Sequence, residues 1–199
     1  MGTLRCAAAI LAASIWFQAC DRPATAPHSP TDDALAAAAG MPPAGGTTLC
    51  SLVGFDELQT NGAPFTTLSR CGLTITATAA SWTASTTYGK PAPFIQFVAA
   101  AGATAIGEVQ IAGSGTRFSF RSVDLYSSTT PIPYAITGVA NGATALTVAG
   151  THGNTFGNFA TIVNPQPGAM LDSLVISLTN PSAPCCSNPM GLDNIVIGL

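Results

Sequence analysis

Charged side chains are scarce in this sequence. Six Lys and Arg and nine Asp and Glu make up 8% of its 199 residues, against about 25% in an average soluble domain. A chain with so few cations lacks the basic stripe with which proteins bind nucleic acid, so a nucleic-acid partner is excluded. A surface that is polar but uncharged favours a protein that works outside the cytoplasm.

Groups that carry out catalysis are equally few. The chain has two histidines, and His28 lies in a Pro-rich stretch near the amino terminus, which leaves His152. One histidine cannot supply the ligand cluster of a metal-dependent enzyme. No Gly-x-Ser-x-Gly motif marks a hydrolase nucleophile. The sequence therefore predicts no enzymatic activity and no catalytic residues.

Residues 1–19 are predicted to be a signal peptide. Arg5 precedes an apolar run over residues 6–17, which is too short for a membrane-spanning helix. The run leads to Ala19 and Cys20, and a small residue directly before Cys resembles the bacterial lipobox, although Phe17 and Gln18 depart from its usual pattern. Cys20 is then a lipidation site that anchors the exported chain to a bilayer of the bacterial cell envelope. The alternative is plain secretion.

Residues 20–49 are predicted to form the lipidated Cys and a flexible tether. This stretch is rich in Pro, Ala and Gly and has few side chains whose burial would offset the entropy of ordering the backbone. The folded domain is therefore predicted to span residues 50–199.

That domain is predicted to be all-β, a two-sheet antiparallel sandwich. Short runs of Val, Ile, Thr and Phe alternate with clusters of Gly, Pro, Asn and Ser. Phe118 and Phe120 share one face of such a run, and Asn141-Gly142 predicts a hairpin. The predicted strands are Leu52–Glu57, Leu73–Thr78, Phe94–Val98, Gly107–Ile111, Arg117–Tyr126, Tyr134–Val139, Ala145–Ala149, Phe159–Val163, Leu171–Leu178 and Asn194–Gly198.

Three short motifs resemble those of a known group of domains. They are Phe55-Asp56-Glu57-Leu58, Phe118-Ser119-Phe120-Arg121-Ser122-Val123-Asp124-Leu125-Tyr126 and Met190-Gly191-Leu192-Asp193-Asn194-Ile195. The set is similar to bacterial exported jelly-roll domains of the carbohydrate-binding-module and galactose-binding-like type. The resemblance implies a non-catalytic fold whose first and last strands are adjacent, often with a structural calcium ion near them. It does not identify a sugar.

Three acids are candidate calcium ligands. Calcium prefers several oxygen ligands that include carboxylates, and Asp56, Glu57 and Asp193 become neighbours if the terminal strands pair. The alternative is that Asp193 caps a turn or binds backbone amides at the start of its strand. Because the domain contains only six acids, many of the ligands would have to be backbone carbonyls.

Four cysteines of the domain predict two disulfides in an oxidising compartment. They are Cys50, Cys71, Cys185 and Cys186. A bond between the adjacent Cys185 and Cys186 would strain the peptide that joins them. The favoured pairing therefore joins Cys50 and Cys71 each to one of that pair, and closing such long loops contributes about 4–5 kcal/mol in the chain-entropy model.

A polar loop is predicted over residues 81–90, and it holds three candidate ligand-binding side chains. These are Trp82, Tyr88 and Lys90, with Asn154 from a second loop. The alternative interpretation is that Trp82 fills the core and Tyr88 covers its edge. The predicted function is a non-catalytic binding module displayed on the cell envelope, with carbohydrate as the leading ligand class. The alternative is a structural or adhesive surface lipoprotein that contacts other envelope proteins.

Overall fold

A computed structural model describes residues 50–89, 92–182 and 186–199. The predicted signal peptide and tether, with Cys20, lie outside the described residues, as do Lys90 and Cys185. Within the described ranges, no helix is long and apolar enough to cross a membrane.

The described chain consists of strands joined by turns and loops. Fourteen strands follow one another in these ranges: β1 Leu52–Val53, β2 Pro64–Phe65, β3 Thr67–Arg70, β4 Leu73–Ala79, β5 Trp82–Ser85, β6 Phe94–Ala99, β7 Thr104–Gly113, β8 Phe118–Ser127, β9 Ile132–Ala140, β10 Ala143–His152, β11 Ala160–Val163, β12 Met170–Leu171, β13 Ser173–Pro181 and β14 Asn188–Gly198.

The strands form two antiparallel sheets. The front sheet has the order β11-β8-β14-β6-β5-β2, with β1 also paired to β14 and β12 to β8. The back sheet has the order β10-β9-β13-β7-β4-β3. The prediction of an all-β, two-sheet antiparallel sandwich of the jelly-roll type is confirmed.

The core lies between the sheets and follows the period-two alternation of the strands. In β13, Leu174, Ile176 and Leu178 are fully buried, whereas the residues between them are only partly so. Phe118 and Phe120 of β8 contribute to the same core. Burying each such side chain contributes roughly 1.5–3 kcal/mol.

The first and last strands of the domain are neighbours, as the resemblance implies. Leu52 pairs with Val196 and Val53 pairs with Ile195. The first strand is shorter than predicted, because the chain turns away after Val53 and the amide of Leu58 donates to the carbonyl of Phe55 at 2.9 Å. This turn carries Asp56 over the outer face of the front sheet.

Two tight hairpins use a pair of residues with positive φ. Asn141 and Gly142 (φ 53° and 76°) join β9 to β10, which confirms the predicted hairpin. Cys71 and Gly72 (φ 60° and 73°) join β3 to β4 in the same way. Such two-residue turns match the right-handed twist of the strands that they connect.

The second of these hairpins explains the disulfide. It brings Cys71 to Cys50, and the two are bonded with their Cα atoms 5.8 Å apart. The favoured pairing of Cys50 and Cys71 with Cys185 and Cys186 is therefore wrong. The bond closes a sequence separation of only 21 residues, so its contribution in the chain-entropy model is about 3 kcal/mol.

The predicted loop over residues 81–90 is a strand in its first half. Trp82–Ser85 forms β5, which pairs with β2 and β6. Trp82 and Ala84 face the core, with the less buried Thr83 between them. A β-forming aromatic residue with an alternating pattern thus outweighs the Ser and Thr composition from which a loop was predicted.

Candidate functional site

An aromatic cluster covers the outer face of the front sheet at one end. It consists of Phe94 in β6, Tyr126 in β8, and Tyr88 and Phe159 from the loops that follow β5 and β10. The ring centroid of Phe94 lies 5.7 Å from that of Tyr126 and 5.0 Å from that of Phe159. The ring centroids of Tyr88 and Tyr126 lie 6.1 Å apart, and all three pairs are edge-to-face. This geometry is the preferred one for aromatic pairs.

The cluster is closed beneath and open above. Phe94 and Tyr126 are fully buried, although the period-two pattern puts them on the outer face of their strands. Burial raises the pKa of Tyr126 to about 12, so its phenol is neutral at every physiological pH. Tyr88, by contrast, is 50% exposed. A buried aromatic layer therefore supports one accessible ring.

A groove of about 390 Å³ opens beside that ring. Its lining residues are Thr87, Tyr88, Gly89, Phe156, Gly157 and Asn158, and it is named here the Tyr88–Phe156 groove. Phe156 is 77% exposed and has a φ of 49°, a left-handed conformation that is rare for a bulky residue and is associated with functional sites. The Asn154 side chain stabilises it by accepting a hydrogen bond of 3.0 Å from the Phe156 amide.

Two glycines allow the loops to approach the cluster closely. A β-carbon on Gly89 would lie 2.5 Å from the ring of Phe94, and one on Gly157 would lie 3.3 Å from the ring of Tyr88. Both glycines also have positive φ, 94° and 92°, which other residues adopt at a cost. Larger side chains at these positions would displace Phe94 or Tyr88.

The predicted ligand-binding residues separate in the structure. Tyr88 lines the groove, and Asn154 shapes the loop that carries Phe156. The prediction for Trp82 is corrected, because this residue is only 1% exposed. Its indole N–H donates to the carbonyl of Ala79 at 2.8 Å, and its ring centroid lies 4.9 Å from that of Phe97. The alternative interpretation, in which Trp82 fills the core, describes its position.

Phe156 was not among the ligand-binding residues predicted from the sequence. Its local sequence, Asn154-Thr155-Phe156-Gly157-Asn158, is a polar turn that contains one aromatic residue. A large apolar residue with turn-forming residues on both sides lies outside a strand. Its ring is therefore not carried into the core by a strand. That signal was present in the sequence.

A second site lies on the same face of the front sheet. Asp193 of β14 and Asp124 of β8 are directly opposite each other in the ladder, and Asp56 approaches from the turn after β1. A β-carbon on Gly54 would lie 3.4 Å from Asp56 Oδ2, 3.8 Å from Asp193 Oδ1 and 3.9 Å from Asn194 Oδ1. Asp56, Asp124, Asp193 and Asn194 are named here the carboxylate cluster.

Asp193 is the buried member of this cluster. It is 4% exposed, and among the described residues its Oδ1 has no hydrogen-bond partner. Burial raises its pKa to about 7, the negative charges of Asp56 and Asp124 add to the shift, and the backbone amides of Asn194 and Phe55 partly offset it. A buried, unpaired carboxylate oxygen indicates that a proton or a cation belongs beside it.

The other members are held by hydrogen bonds. Asp124 accepts one of 2.5 Å from the Thr161 hydroxyl and one of 3.0 Å from the Asn194 side-chain amide. Asn194 has a φ of 47° and follows Asp193 where the pairing register of β14 shifts. A bulge of this kind re-aims side chains within a strand. Asp193 therefore lies inside a strand and not at its start, but it does accept hydrogen bonds from backbone amides, those of Asn194 and Phe55, as the alternative supposed.

Glu57 does not join Asp56 and Asp193. Its carboxylate forms an ion pair of 3.2 Å with Arg70, and Arg70 also donates to the Gly54 carbonyl at 3.2 Å. This corrects the predicted ligand set, because the Glu57 carboxylate is paired with the Arg70 guanidinium at the end of β3. The two contacts also stabilise the turn that presents Asp56.

The donor set suits a hard cation. Among the described residues, no three His, Cys, Asp or Glu side chains come close enough to hold a metal between them. Two carboxylates and the amide oxygen of Asn194 converge beside Gly54, and one of these oxygens is buried without a partner. Oxygen ligands of this kind fit Ca²⁺, with backbone carbonyls and water completing the shell.

His152 is an isolated buried base. It ends β10 and is 4% exposed, and its Nε2 has no hydrogen-bond partner in the part of the chain that the structure describes. Burial lowers the pKa of its imidazole. The ring is therefore held neutral inside the domain, where it cannot reach a solute.

No protein-family model matches this chain, and no curated protein matches it in sequence. Among solved structures it is similar to the TmCBM61 structure in complex with β-1,4-galactotriose (8% identity, TM-score 0.42, 64% of this chain and 88% of that one). It is also similar to the family 29 carbohydrate-binding module CBM29_1 from Piromyces equi (8% identity, TM-score 0.42, 69% and 87%).

A third similar structure is the enzymatically active domain of bacteriophage CBA120 tailspike protein 4, with 16% identity and a TM-score of 0.40. There the match covers 65% of this chain but 19% of that one. At these identities and TM-scores the similarity concerns the type of fold alone.

Proposed function

We propose that this chain is a non-catalytic carbohydrate-binding module that holds a sugar in the Tyr88–Phe156 groove. The observation that carries the proposal is the pair of exposed aromatic rings on two loops, one of them backed by buried aromatic residues. The apolar faces of a pyranose ring stack on such rings. Asn158 and Thr87 supply an amide and a hydroxyl for its hydroxyl groups, the combination of apolar wall and few polar groups that is typical of ligand sites.

The groove lacks the groups of a glycosidase. Glycoside hydrolysis requires two carboxyl groups on either side of the scissile bond, and none of the lining residues described is an acid. The carboxylate cluster lies outside this lining: its Asp124 accepts hydrogen bonds from Thr161 and Asn194, and its Asp193 is buried. These observations support binding without turnover.

The test is a glycan array probed with residues 20–199, carrying Cys20→Ser so that no lipid is attached. We expect reproducible binding to a set of glycans, reduced at least tenfold by Tyr88→Ala and by Phe156→Ala, since central aromatic residues contribute more than about 1.4 kcal/mol at a binding site. Ile106→Ala is the matched control, because Ile106 is 51% exposed on β7 of the back sheet.

Two results would contradict the proposal. If both aromatic variants kept full binding, the sugar would lie elsewhere. If the array were blank with calcium present, the structural or adhesive alternative, a surface protein that contacts other proteins, would replace it.

We also propose that a structural calcium ion is held by Asp56 and Asp193 with the side-chain oxygen of Asn194. The support is the convergence of these oxygens beside Gly54 and the unpaired Oδ1 of Asp193. A bound cation would neutralise the carboxylates and tie the turn after β1 to β14. It would stabilise the join between the first and last strands rather than contact the sugar.

The location proposed for the module is the bacterial cell envelope, with lipidated Cys20 in a bilayer. The support lies in the sequence: a short apolar run that ends in Ala19-Cys20, followed by a Pro-rich and Ala-rich stretch. Mass spectrometry of the mature amino-terminal peptide is expected to show an acylated Cys20. An unmodified amino terminus at another residue would replace anchoring with secretion.

A further inference from the structure

The two described sheets have four edges, and one edge of the back sheet differs from the other three. Those three edges are formed by short strands: β2 has two residues, β3 has four, and β11 and β12 have four and two. The fourth edge is β10, with ten residues. Short edge strands are a common means by which proteins avoid pairing with other chains, and β10 lacks that protection.

The outer side of β10 has no partner in the described part of the chain. It pairs only with β9, and no hydrogen bond from a described turn or loop reaches its backbone. It also lacks the residues that usually block an edge: Ala143–His152 contains no Lys, Arg, Asp, Glu or Pro, and its one ionisable side chain, His152, is buried. The strand therefore presents free amides and carbonyls without charge repulsion.

We propose that β10 pairs with β10 of a second copy of this chain, antiparallel and about a two-fold axis. A register shift between Thr144 and Leu146 leaves seven regularly paired residues, Leu146–His152, and Ala149 is their midpoint. A two-fold axis at Ala149 pairs all seven residues. A residue at position i then faces residue 298 minus i of the other copy.

The side chains in this register are self-complementary. Thr147 faces Thr151 of the other copy, a cross-strand pair that is favourable in sheets, and Ala149 faces itself. All three are exposed. On the opposite face, Val148 meets Gly150, over which the Tyr134 ring lies: a β-carbon on Gly150 would be 2.8 Å from the Tyr134 hydroxyl oxygen. An identical strand reproduces this order of small residues in reverse, whereas the strand of an unrelated protein does not.

The interface is small, which sets the expected strength. Seven paired residues bury less than the roughly 1,600 Å² of a standard stable interface, so the dimer is expected to be concentration-dependent. Joining two back sheets in this way also joins their outer faces. Each face is rich in Thr, Ser, Val and Ala. The strands β4, β7, β9, β10 and β13 together contain a single acid, Glu108.

The register is tested with two matched double variants of residues 20–199, again with Cys20→Ser. Thr147→Lys with Thr151→Lys places like charges opposite each other twice, whereas Thr147→Lys with Thr151→Glu places opposite charges there. Sedimentation equilibrium is expected to show a dimer for the wild type, a dissociation constant at least tenfold higher for the Lys/Lys variant than for the Lys/Glu variant, and a smaller difference at high salt. Both variants should unfold at wild-type denaturant concentrations, because the side chains are exposed.

A wild type that remains monomeric at the highest soluble concentration would overturn the proposal and leave the edge to another protein's strand. Equal dissociation constants for the two variants would also overturn it, because the dimer would then form through another surface or register.

Discussion

Replacing Asp193 by Asn is expected to stabilise the calcium-free protein at pH 8 by roughly 2–4 kcal/mol, and to have little effect at pH 4. The folded-state pKa of Asp193 is about 7, above its ordinary value of 3.8. Between these values the folded state holds a proton that the unfolded state has lost, so the free energy of unfolding falls as pH rises, by about 1.4 kcal/mol per unit. Asn resembles the protonated acid and does not titrate.

The measurement is urea unfolding from pH 4 to pH 8, with a chelator and with calcium. His152 contributes with the opposite sign: its pKa is lowered, so its stabilising effect is lost as pH falls below about 6.5. The informative quantity is therefore the difference between the wild type and Asp193→Asn. Calcium should raise the stability of the wild type near neutral pH, by about 2.7 kcal/mol at one hundred times its dissociation constant, and should not affect the variant.

Glu108→Gln is the control for this experiment, since it removes one carboxylate from the back sheet, outside the cluster. Two parallel pH profiles for the wild type and Asp193→Asn would show that the burial of Asp193 does not control its protonation. An equal calcium response in both would remove Asp193 from the ion site.

Trp82→Ala is expected to lower the free energy of unfolding by about 3–5 kcal/mol, the usual effect of truncating a large buried aromatic side chain. The residue is 1% exposed and packs against Phe97. Chemical denaturation followed by far-ultraviolet circular dichroism measures the change. Where the variant is still folded, its affinity for the glycan should equal that of the wild type.

Tyr88→Ala is the matched comparison for Trp82→Ala. Its ring is 50% exposed, so it should contribute strongly to binding and less than about 1.5 kcal/mol to stability. If Trp82→Ala abolished binding in a fully folded protein, Trp82 would contact the ligand after all, contrary to its burial.

Local signals in the sequence were sufficient where a few adjacent residues determine the backbone. The Asn141-Gly142 hairpin is of this kind, since both residues tolerate positive φ. The equivalent turn at Cys71-Gly72 could not be predicted in this way, because a residue with a β-carbon such as Cys rarely adopts a positive φ. The disulfide pairing was then wrong for a reason of topology: only the β3–β4 hairpin shows that Cys71 returns to Cys50.

The candidate site was less accessible from the sequence. Phe94 and Tyr126 occupy outward positions of their strands, which the alternation assigns to solvent, and only the loops from β5 and β10 bury them. Asp124 was not grouped with Asp193 because cross-strand register depends on the bulge at Asn194. By contrast, Asp56 and Asp193 were brought together correctly by the resemblance of the terminal motifs, since these strands pair.

The Cys50–Cys71 bond also determines how the domain would carry mechanical load. Tension applied through the residues before Cys50 would otherwise act on β1, a two-residue strand that could be peeled from β14 one hydrogen bond at a time. The disulfide instead transmits the force covalently to the turn between β3 and β4, and so to the back sheet. A domain pulled from its amino-terminal side would thus bear the force across a sheet, while the first strand and the turn with Asp56 remain unloaded.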